Sequence, residues 1–288
     1  MKTILVRLSA FILALVMMLS SACLAETVQL AEGADLRIMS FNILHPDWDD
    51  KVPVTDRLDI VVSVLTDYMP DVVALQEAGP KWHRARKPVL VDTGIFGTAC
   101  RQSNKEGFTF CATTFLYNPQ TVTLVEEYIE DLDLVDAARV VSIAVFERIS
   151  DGSRFVVTNT HPAPTNQVEN HERNMADLFR ICSELQTKYP DLPIFMAGDY
   201  NLRETSERYA LFQETVGVQN SKYLAEVLAC DQPTYIGWQE GPDYDGACAV
   251  DHIFVNDKMV VKLYNMVLDH DVANASDHCP LYIDVTLK

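Results

Sequence analysis

The chain has 288 residues, with 23 Lys or Arg against 41 Asp or Glu, so its formal net charge at pH 7 is −18. Hydrophobic residues make up 48% and charged residues 22%, a balance that excludes a disordered or fibrous chain. The length allows one large domain or two small ones. The acidic charge argues against a protein that coats nucleic acid without specificity, because such proteins need a basic surface.

The first segment, residues 1–25, has the pattern of an export signal. Lys2 and Arg7 supply a positive start, and an apolar run from Leu8 to Leu19 precedes small residues. The run is short for a membrane-spanning helix, although a retained anchor and a lipidated Cys23 are alternatives. We therefore expect a secreted or cell-surface protein without stable membrane insertion once the signal is removed.

Six cysteines follow this segment, an even number that permits disulfides in an exported protein. Cys100 and Cys111 flank a short segment that suits a hairpin, and Cys230 and Cys248 flank a loop rich in Gly and Pro, so both are candidate pairs. Cys182 lies on an apolar helical stripe, where a buried free thiol is expected. The cysteines form no CxxC motif, which disfavours a zinc-binding structural protein.

Residues 35–288 show no repeat, low-complexity tract or linker, and we expect one domain there. Runs with strand-like and helix-like spacing alternate along it. The predicted strands are, in chain order, Leu36 to Asn42, Asp71 to Gln76, Thr113 to Tyr117, Val140 to Arg148, Arg154 to Thr160, Pro193 to Gly198, Val250 to Val255, Val260 to Leu268 and Leu281 to Leu287.

Helices are predicted between these strands. Thr55 is placed to cap the first, which Pro70 ends, and a second carries an apolar stripe through Leu178 and Cys182. Shorter helices open at Thr205 and Ser221 in this prediction. Many strands with interspersed helices favour an α/β fold in which two β-sheets pack together with helices outside.

Polar side chains cluster where these strands end or begin. They are Asn42, Glu77, Asn159, His161, Asp199, Asn201, Asp251, Asp277 and His278. A single carboxylate after a strand usually marks a solvated turn, but these nine residues belong to six strand ends, which predict one pocket if they meet.

The residue types in this set suit hydrolysis of a phosphate ester. A hard divalent cation prefers oxygen ligands, and Glu77 and Asp277 are the best candidates. Asp199 is suited to activate the attacking water, while amides and histidines, Asn42, Asn201, His161 and His278, can stabilise charge on the phosphate oxygens. Asp251 is the candidate partner that orients a histidine, His278.

Six motifs in this order resemble the endonuclease/exonuclease/phosphatase superfamily, which includes deoxyribonuclease-like metal-dependent phosphoesterases. The motifs are RIMSFNIL, VVALQEA, VVTNTH, IFMAGDYN, VDHIFV and SDHCPL, and they span nearly all of residues 36–288. The resemblance implies a four-layer α/β sandwich for the domain at 35–288. It implies catalytic roles for Asp199, Asn201, His278, His161 and Asp251, and metal binding by Glu77, Asn42 and Asp277.

The resemblance also implies a cofactor and a substrate class. We expect Mg2+, with Mn2+ or Ca2+ as alternatives, and a monomer that hydrolyses phosphodiesters, nucleic acid among them. Phosphomonoesters of inositol or sugars remain open, as does a non-catalytic binding module that keeps the fold. The basic run Lys81 to Lys87 either receives an anionic substrate or is a solvated loop.

Two positions depart from the family pattern. Many relatives have a carboxylate two residues after the Asn of the first motif, where this chain has Leu44, and Leu-Asp-His after the His of the third motif, where it has Pro162-Ala163-Pro164. Substrate preference therefore does not carry over. Arg139 and Arg173 lie where relatives often have Arg, but ordinary ion pairs explain them equally well.

Overall fold

A computed structural model describes residues 27–45, 54–79, 82, 95–101, 112–133, 139–237 and 248–288. The predicted export signal and all of Lys81 to Lys87 except Trp82 lie outside these ranges, so both interpretations stay predictions. Within the described ranges, no helix combines the length and apolar character needed to cross a bilayer.

Strands make up most of the regular structure. They are β1 (Leu36–Asn42), β2 (Val72–Gln76), β3 (Gly97–Ala99), β4 (Phe115–Tyr117), β5 (Val122–Asp131), β6 (Val140–Arg148), β7 (Arg154–Thr160), β8 (Ile194–Asp199), β9 (Gln219–Asn220), β10 (Val227–Leu228), β11 (Asp251–Val255), β12 (Met259–Met266) and β13 (Leu281–Leu287). One sheet has the order β10-β12-β13-β1-β2-β4-β3, and the other has the order β5-β6-β7-β8-β11-β9.

Helices cover the outer faces of the two sheets. They are α1 (Val54–Tyr68), α2 (Val168–Lys188) and α3 (Glu207–Val216), with 3-10 turns at Ser221–Tyr223 and Val272–Asn274. The alternation along β8 shows the layering: Phe195 and Ala197 face the first sheet, while Ile194 and Met196 face the cluster formed with α2 and α3. The predicted fold, two packed sheets with helices outside, is confirmed.

Strand directions bring the chemically important ends to one side of the sandwich. In the first sheet β1 and β2 are parallel, with Asn42 opposite Gln76. In the second sheet β7 and β8 are parallel, and antiparallel β11 begins with Asp251 opposite Asp199. Because parallel strands end at the same sheet edge and an antiparallel neighbour begins there, each sheet presents its polar residues on one edge.

The longest strand, β5, was not expected from the sequence. Six of its ten residues are exposed and four are acidic, and its pairing with β6 shifts register between Leu124 and Glu126. An edge strand with little buried surface and a bulge lacks the regular apolar alternation on which strand prediction depends.

The residue that caps helix α3 is Ser206, one position after the predicted Thr205. The Ser206 side chain accepts the capping hydrogen bond from the Arg208 N–H.

The predicted disulfide between Cys230 and Cys248 is wrong, because both are free thiols. The backbone of Cys248 is paired with Tyr235, whereas Cys230 packs against the main core. Flanking a loop therefore does not bring the two sulfur atoms together. Cys111 lies outside the described residues, so its pairing with Cys100 stays a prediction. Cys182 is a buried free thiol, and burial raises the pKa of its thiol to about 12.

Candidate active site

The amide of Asn42, at the end of β1, joins the two central carboxylates. Its Nδ2 atom donates to Glu77 Oε1 at 3.3 Å and to Asp199 Oδ2 at 3.0 Å. Its Oδ1 atom accepts from the Leu44 N–H at 3.0 Å. Asn42 and Asp199 belong to different sheets and are 157 positions apart in the chain. The packing of the sheets thus brings the predicted metal ligand and the predicted water-activating carboxylate into one cluster.

His161, which follows β7, lies against the same pair of carboxylates. Its Nε2 atom is 3.4 Å from Asp199 Oδ2 and 4.0 Å from Glu77 Oε1. Burial, reinforced by the charges of Arg139 and His278, holds the pKa of His161 well below its ordinary value. His161 is therefore a neutral imidazole in this environment, suited to donating a hydrogen bond without carrying charge.

His278, just before β13, has the opposite protonation state. Its Nδ1 atom is 2.8 Å from Asp251 Oδ2, and its Nε2 atom is 3.7 Å from Asp199 Oδ2. Burial alone would lower the pKa of His278, but the charges of Asp251 and Asp199 and the hydrogen bond to Asp251 hold it well above its ordinary value. The predicted Asp–His pair is thus formed, and His278 is an imidazolium.

The carboxylate of Asp199 is fully enclosed. Burial, together with the nearby charge of Asp251, raises the pKa of Asp199 to about 7. Its Oδ1 atom accepts from the Asn201 N–H at 2.9 Å, and the Asn201 side chain donates to the Pro162 carbonyl at 3.1 Å. A carboxylate with a pKa near neutrality is suited to accepting a proton. Asn201 links that carboxylate to the loop in which this chain departs from the family pattern.

Three residues of these loops adopt left-handed backbone conformations. The φ angles are +58° for Leu44, +59° for Glu77 and +49° for Asn201. Such angles cost roughly 1–3 kcal/mol for a residue other than glycine and cluster at functional sites. For Glu77, the Oε2 atom accepts a hydrogen bond from the His45 N–H, so the strained turn aims its carboxylate at a fixed position.

Two buried carboxylate oxygens have no hydrogen-bond partner among the described residues, Oδ1 of Asp251 and Oδ1 of Asp277. Burial raises the pKa of Asp277, as does the charge of Glu77, although His278 opposes them. The Nε2 atom of His278 lies 3.9 Å from Asp277 Oδ1, too far for a hydrogen bond, and a buried oxygen without a hydrogen bond is costly unless a ligand satisfies it. One hard oxygen thus remains available on each carboxylate, and oxygen is the donor that Mg2+ prefers.

Ligand atoms of Asp199, Asp251 and His278 lie within 4.8 Å of one another, so this group could also hold a metal ion. In this group the Nδ1 atom of His278 is 2.8 Å from Asp251 Oδ2 and its Nε2 atom is 3.7 Å from Asp199 Oδ2, so a metal ion bound by the histidine would have to displace a proton. Glu77 and Asp277 are the carboxylates that the sequence predicts as metal ligands, and the Asn42 amide donates to Glu77 at 3.3 Å.

Sequence reasoning missed two buried residues that support the site. The hydroxyl oxygen of Thr234 accepts from the N–H groups of Val250 and Asp251 at 3.1 and 3.0 Å. The guanidinium of Arg57 lies beneath the loops that follow β1 and precede β13. A charged residue on the apolar stripe of α1, four positions before Val61, was the available signal for Arg57.

Arg139 and Arg173, whose roles the sequence does not decide, lie in different parts of the structure. Arg139 donates to the His161 carbonyl at 2.9 Å, and burial lowers its pKa, which the charges of Glu77 and Asp199 oppose. It therefore lies beside the site. Arg173, half exposed on α2, pairs with Glu169 at 2.9 Å and belongs to the surface.

Comparisons with known proteins agree with this geometry. The sequence model of the Endonuclease/Exonuclease/phosphatase family matches residues 39–278. A search of curated proteins finds no match. The chain belongs to the endonuclease/exonuclease/phosphatase family, as the six ordered motifs predicted.

Three solved structures illustrate the similarity in fold. A mannosyl-6-phosphatase, Bt3783 of Bacteroides thetaiotaomicron, has a TM-score of 0.73 and 19% identity, over 88% of this chain and 100% of that chain. The human Nocturnin catalytic domain with bound sulfate has a TM-score of 0.69 and 18% identity, over 90% and 96%. D. rerio TDP2 in complex with a single-stranded DNA product has a TM-score of 0.69 and 20% identity, over 87% and 98%.

Proposed function

We propose that the protein is a metal-dependent phosphoesterase that uses Mg2+, with Mn2+ or Ca2+ as alternatives. The observation that carries the proposal is the shared amide of Asn42, which holds the carboxylates of Glu77 and Asp199 in one cluster. Glu77 and Asp277 supply the oxygen ligands in this proposal, and Asn42 stays a candidate third ligand. A bound divalent cation would polarise the phosphoryl group as a Lewis acid.

The protein groups would perform the remaining chemistry. The raised pKa of Asp199 suits this carboxylate to take a proton from a water molecule, whose oxygen forms the new bond to phosphorus. The leaving oxygen then departs and takes a proton from solvent. The imidazolium of His278 and the neutral Nε2–H of His161 would stabilise the negative charge on the phosphoryl oxygens, since fixed donors are most effective where charge develops. Asn201 would add an amide donor after release from Pro162.

The leading substrate class in this proposal is phosphodiesters, nucleic acid among them. The fold shared with TDP2, which was crystallised with a single-stranded DNA product, supports this class. A second candidate, hydrolysis of sugar phosphomonoesters, is favoured by the equally extensive similarity to a mannosyl-6-phosphatase. The excess of acidic residues does not decide between these two substrate classes, because a local basic patch can attract an anion to an acidic protein.

We further propose that the protein is exported and acts as a monomer. The pattern of residues 1–25 supports export, and a lipid anchor at Cys23 is the alternative. Fractionation of cells that produce the full chain tests this part, with metabolic labelling by a fatty acid to detect the anchor. Retention of the uncleaved chain in the cytoplasm would contradict export.

The activity is tested with Mg2+ and a panel of substrates: bis-(p-nitrophenyl) phosphate, p-nitrophenyl phosphate, single- and double-stranded DNA, RNA, inositol phosphates, hexose 6-phosphates and sphingomyelin. Wild type is compared with E77Q and with E184Q, which changes an exposed glutamate on α2. We expect Mg2+-dependent turnover by wild type and E184Q and its loss in folded E77Q. Turnover by E77Q at the wild-type rate would refute the metal role of Glu77. Binding without turnover by wild type would support the non-catalytic module.

A further inference from the structure

A buried arginine lies directly beneath the candidate site. Arg57, on the inner face of α1, is 2% exposed. Its Nη1 atom donates to the carbonyl oxygens of Ile43, Leu44 and Ala275, each at 3.2 Å, and its Nη2 atom donates to the His45 carbonyl at 3.3 Å. One guanidinium therefore binds the backbone of two chain segments that are more than 200 positions apart.

Trp82 fixes the orientation of this guanidinium. The centre of the guanidinium lies 4.9 Å from the Trp82 ring centroid, and the indole Nε1–H donates to the Leu44 carbonyl at 3.0 Å. Stacking on an aromatic face and a planar set of donors are properties of arginine that lysine lacks. The Arg57 guanidinium and the Trp82 indole thus both donate to the carbonyl of Leu44, whose backbone is left-handed.

Both backbone segments that Arg57 binds carry groups of the candidate site. In the first, the His45 N–H donates to the Glu77 carboxylate. In the second, the Ser276 hydroxyl donates to the Asn42 carbonyl at 2.6 Å and accepts from the His278 N–H at 3.1 Å. This second segment also contains Asp277. The position of each proposed metal carboxylate therefore depends on backbone that Arg57 binds.

We propose that Arg57 is a positioning residue for the divalent cation, which fixes Glu77 and Asp277 relative to each other through the two backbone segments. The inference rests on the proposed function. The guanidinium also lies near enough to both carboxylates to interact with their charges. The planar set of donors, rather than the charge alone, is the property that matters, because Nη1 and Nη2 together bind four carbonyl oxygens while the guanidinium lies against the Trp82 ring.

Arg37 provides a matched control at the opposite end of β1. It is 1% exposed and donates to the carbonyls of Val28, Tyr68 and Gln29 at 2.8–2.9 Å, besides its pairing with Asp284. Its burial and backbone bonding match those of Arg57, but the segments it binds carry none of the proposed site groups. A general loss of stability should therefore follow from changing either arginine, whereas loss of cation binding should follow only from changing Arg57.

The test is calorimetric titration of Mg2+ alone into wild type, R57K and R37K, with Tm measured for each and the Mg2+ dependence of phosphoesterase turnover measured in parallel. We expect the Mg2+ Kd of R57K to rise about tenfold or more, the usual effect of losing a group that orients metal ligands, with the half-saturating Mg2+ concentration for turnover rising in parallel. The Kd of R37K should equal that of wild type although its Tm falls.

W82F is measured if R57K does not fold, because it keeps an aromatic ring and removes the N–H bound to Leu44, together with the smaller ring of the indole. Its Mg2+ Kd should rise a few-fold, the value of one hydrogen bond. Unchanged Mg2+ binding in folded R57K would overturn the positioning role. If R57K is unfolded, unchanged Mg2+ binding in W82F would overturn it. An equal weakening of Mg2+ binding in R37K would overturn it as well. Wild type that binds no Mg2+ and turns over no substrate would instead overturn the proposed function itself, and the inference with it.

Discussion

The Nδ1 atom of His278 lies 2.8 Å from the Oδ2 atom of Asp251, and both side chains are buried. The charge of Asp251, with that of Asp199 and this hydrogen bond, holds the pKa of His278 well above its ordinary value despite burial. In D251N the partner is uncharged, so we expect the pKa of His278 to fall and turnover at neutral pH to fall on the order of tenfold or more. NMR titration of the imidazole resonances measures the pKa directly. An unchanged His278 pKa in folded D251N would show that the pair does not set the charge state.

The Asp199 carboxylate is the proposed proton acceptor. We expect D199N to lose on the order of a hundredfold or more in kcat, because the amide cannot take a proton from water. Initial rates at saturating Mg2+ measure this effect, and the Tm shows whether the fold is retained. D257N, which changes an exposed carboxylate, is the control. A lower Tm with the wild-type rate would assign Asp199 a structural role.

The buried ion pair between Arg37 and Asp284, with Nε and Oδ1 2.7 Å apart, lies away from the site. Asp284 also accepts from the Ala31 N–H at 2.8 Å. Because D284N leaves a buried guanidinium without its counter-charge, we expect a loss of about 3–5 kcal/mol in the free energy of unfolding. Urea denaturation monitored by fluorescence measures it. Turnover well below the Tm should be unchanged, and a loss of less than about 1 kcal/mol would mean that the pair behaves as if exposed.

His270 gives stability a dependence on pH. Its Nε2 and Nδ1 atoms lie 2.8 Å from Asp67 and 2.6 Å from Asp269. Burial opposes protonation, but these hydrogen bonds and charges raise the pKa of His270 above its ordinary value. The folded state therefore binds the proton more tightly than the unfolded state. The stabilisation is fully present below the unfolded pKa of about 6.5 and is lost as pH rises through the folded pKa.

H270N tests this dependence. Asparagine tolerates the left-handed conformation that His270 adopts, with φ of +61°. The difference in the free energy of unfolding between wild type and H270N, measured in urea across the range from acid to alkaline pH, should be largest at the acid end and should shrink as pH rises. A difference that is flat or grows with pH would contradict the assignment.

Several features of this protein follow from local sequence. The strands β1, β6, β7 and β13 begin and end where the sequence predicts, because buried strands with apolar runs leave a signal within a few residues. The polar residues at the strand ends, Glu77, Asp199 and His278 among them, were identified for the same reason. Weakly buried elements such as β5 left no comparable signal.

Only the tertiary structure decided how those residues act. The sequence predicts a carboxylate partner for His278, but only the structure shows that burial keeps His161 neutral while Asp251 and Asp199 keep His278 cationic. It also cannot show that Arg57 binds segments near residues 44 and 275, or that the thiols of Cys230 and Cys248 remain free. Charge state and contact depend on burial and on distances between groups far apart in the chain, and these are fixed only when the two sheets pack.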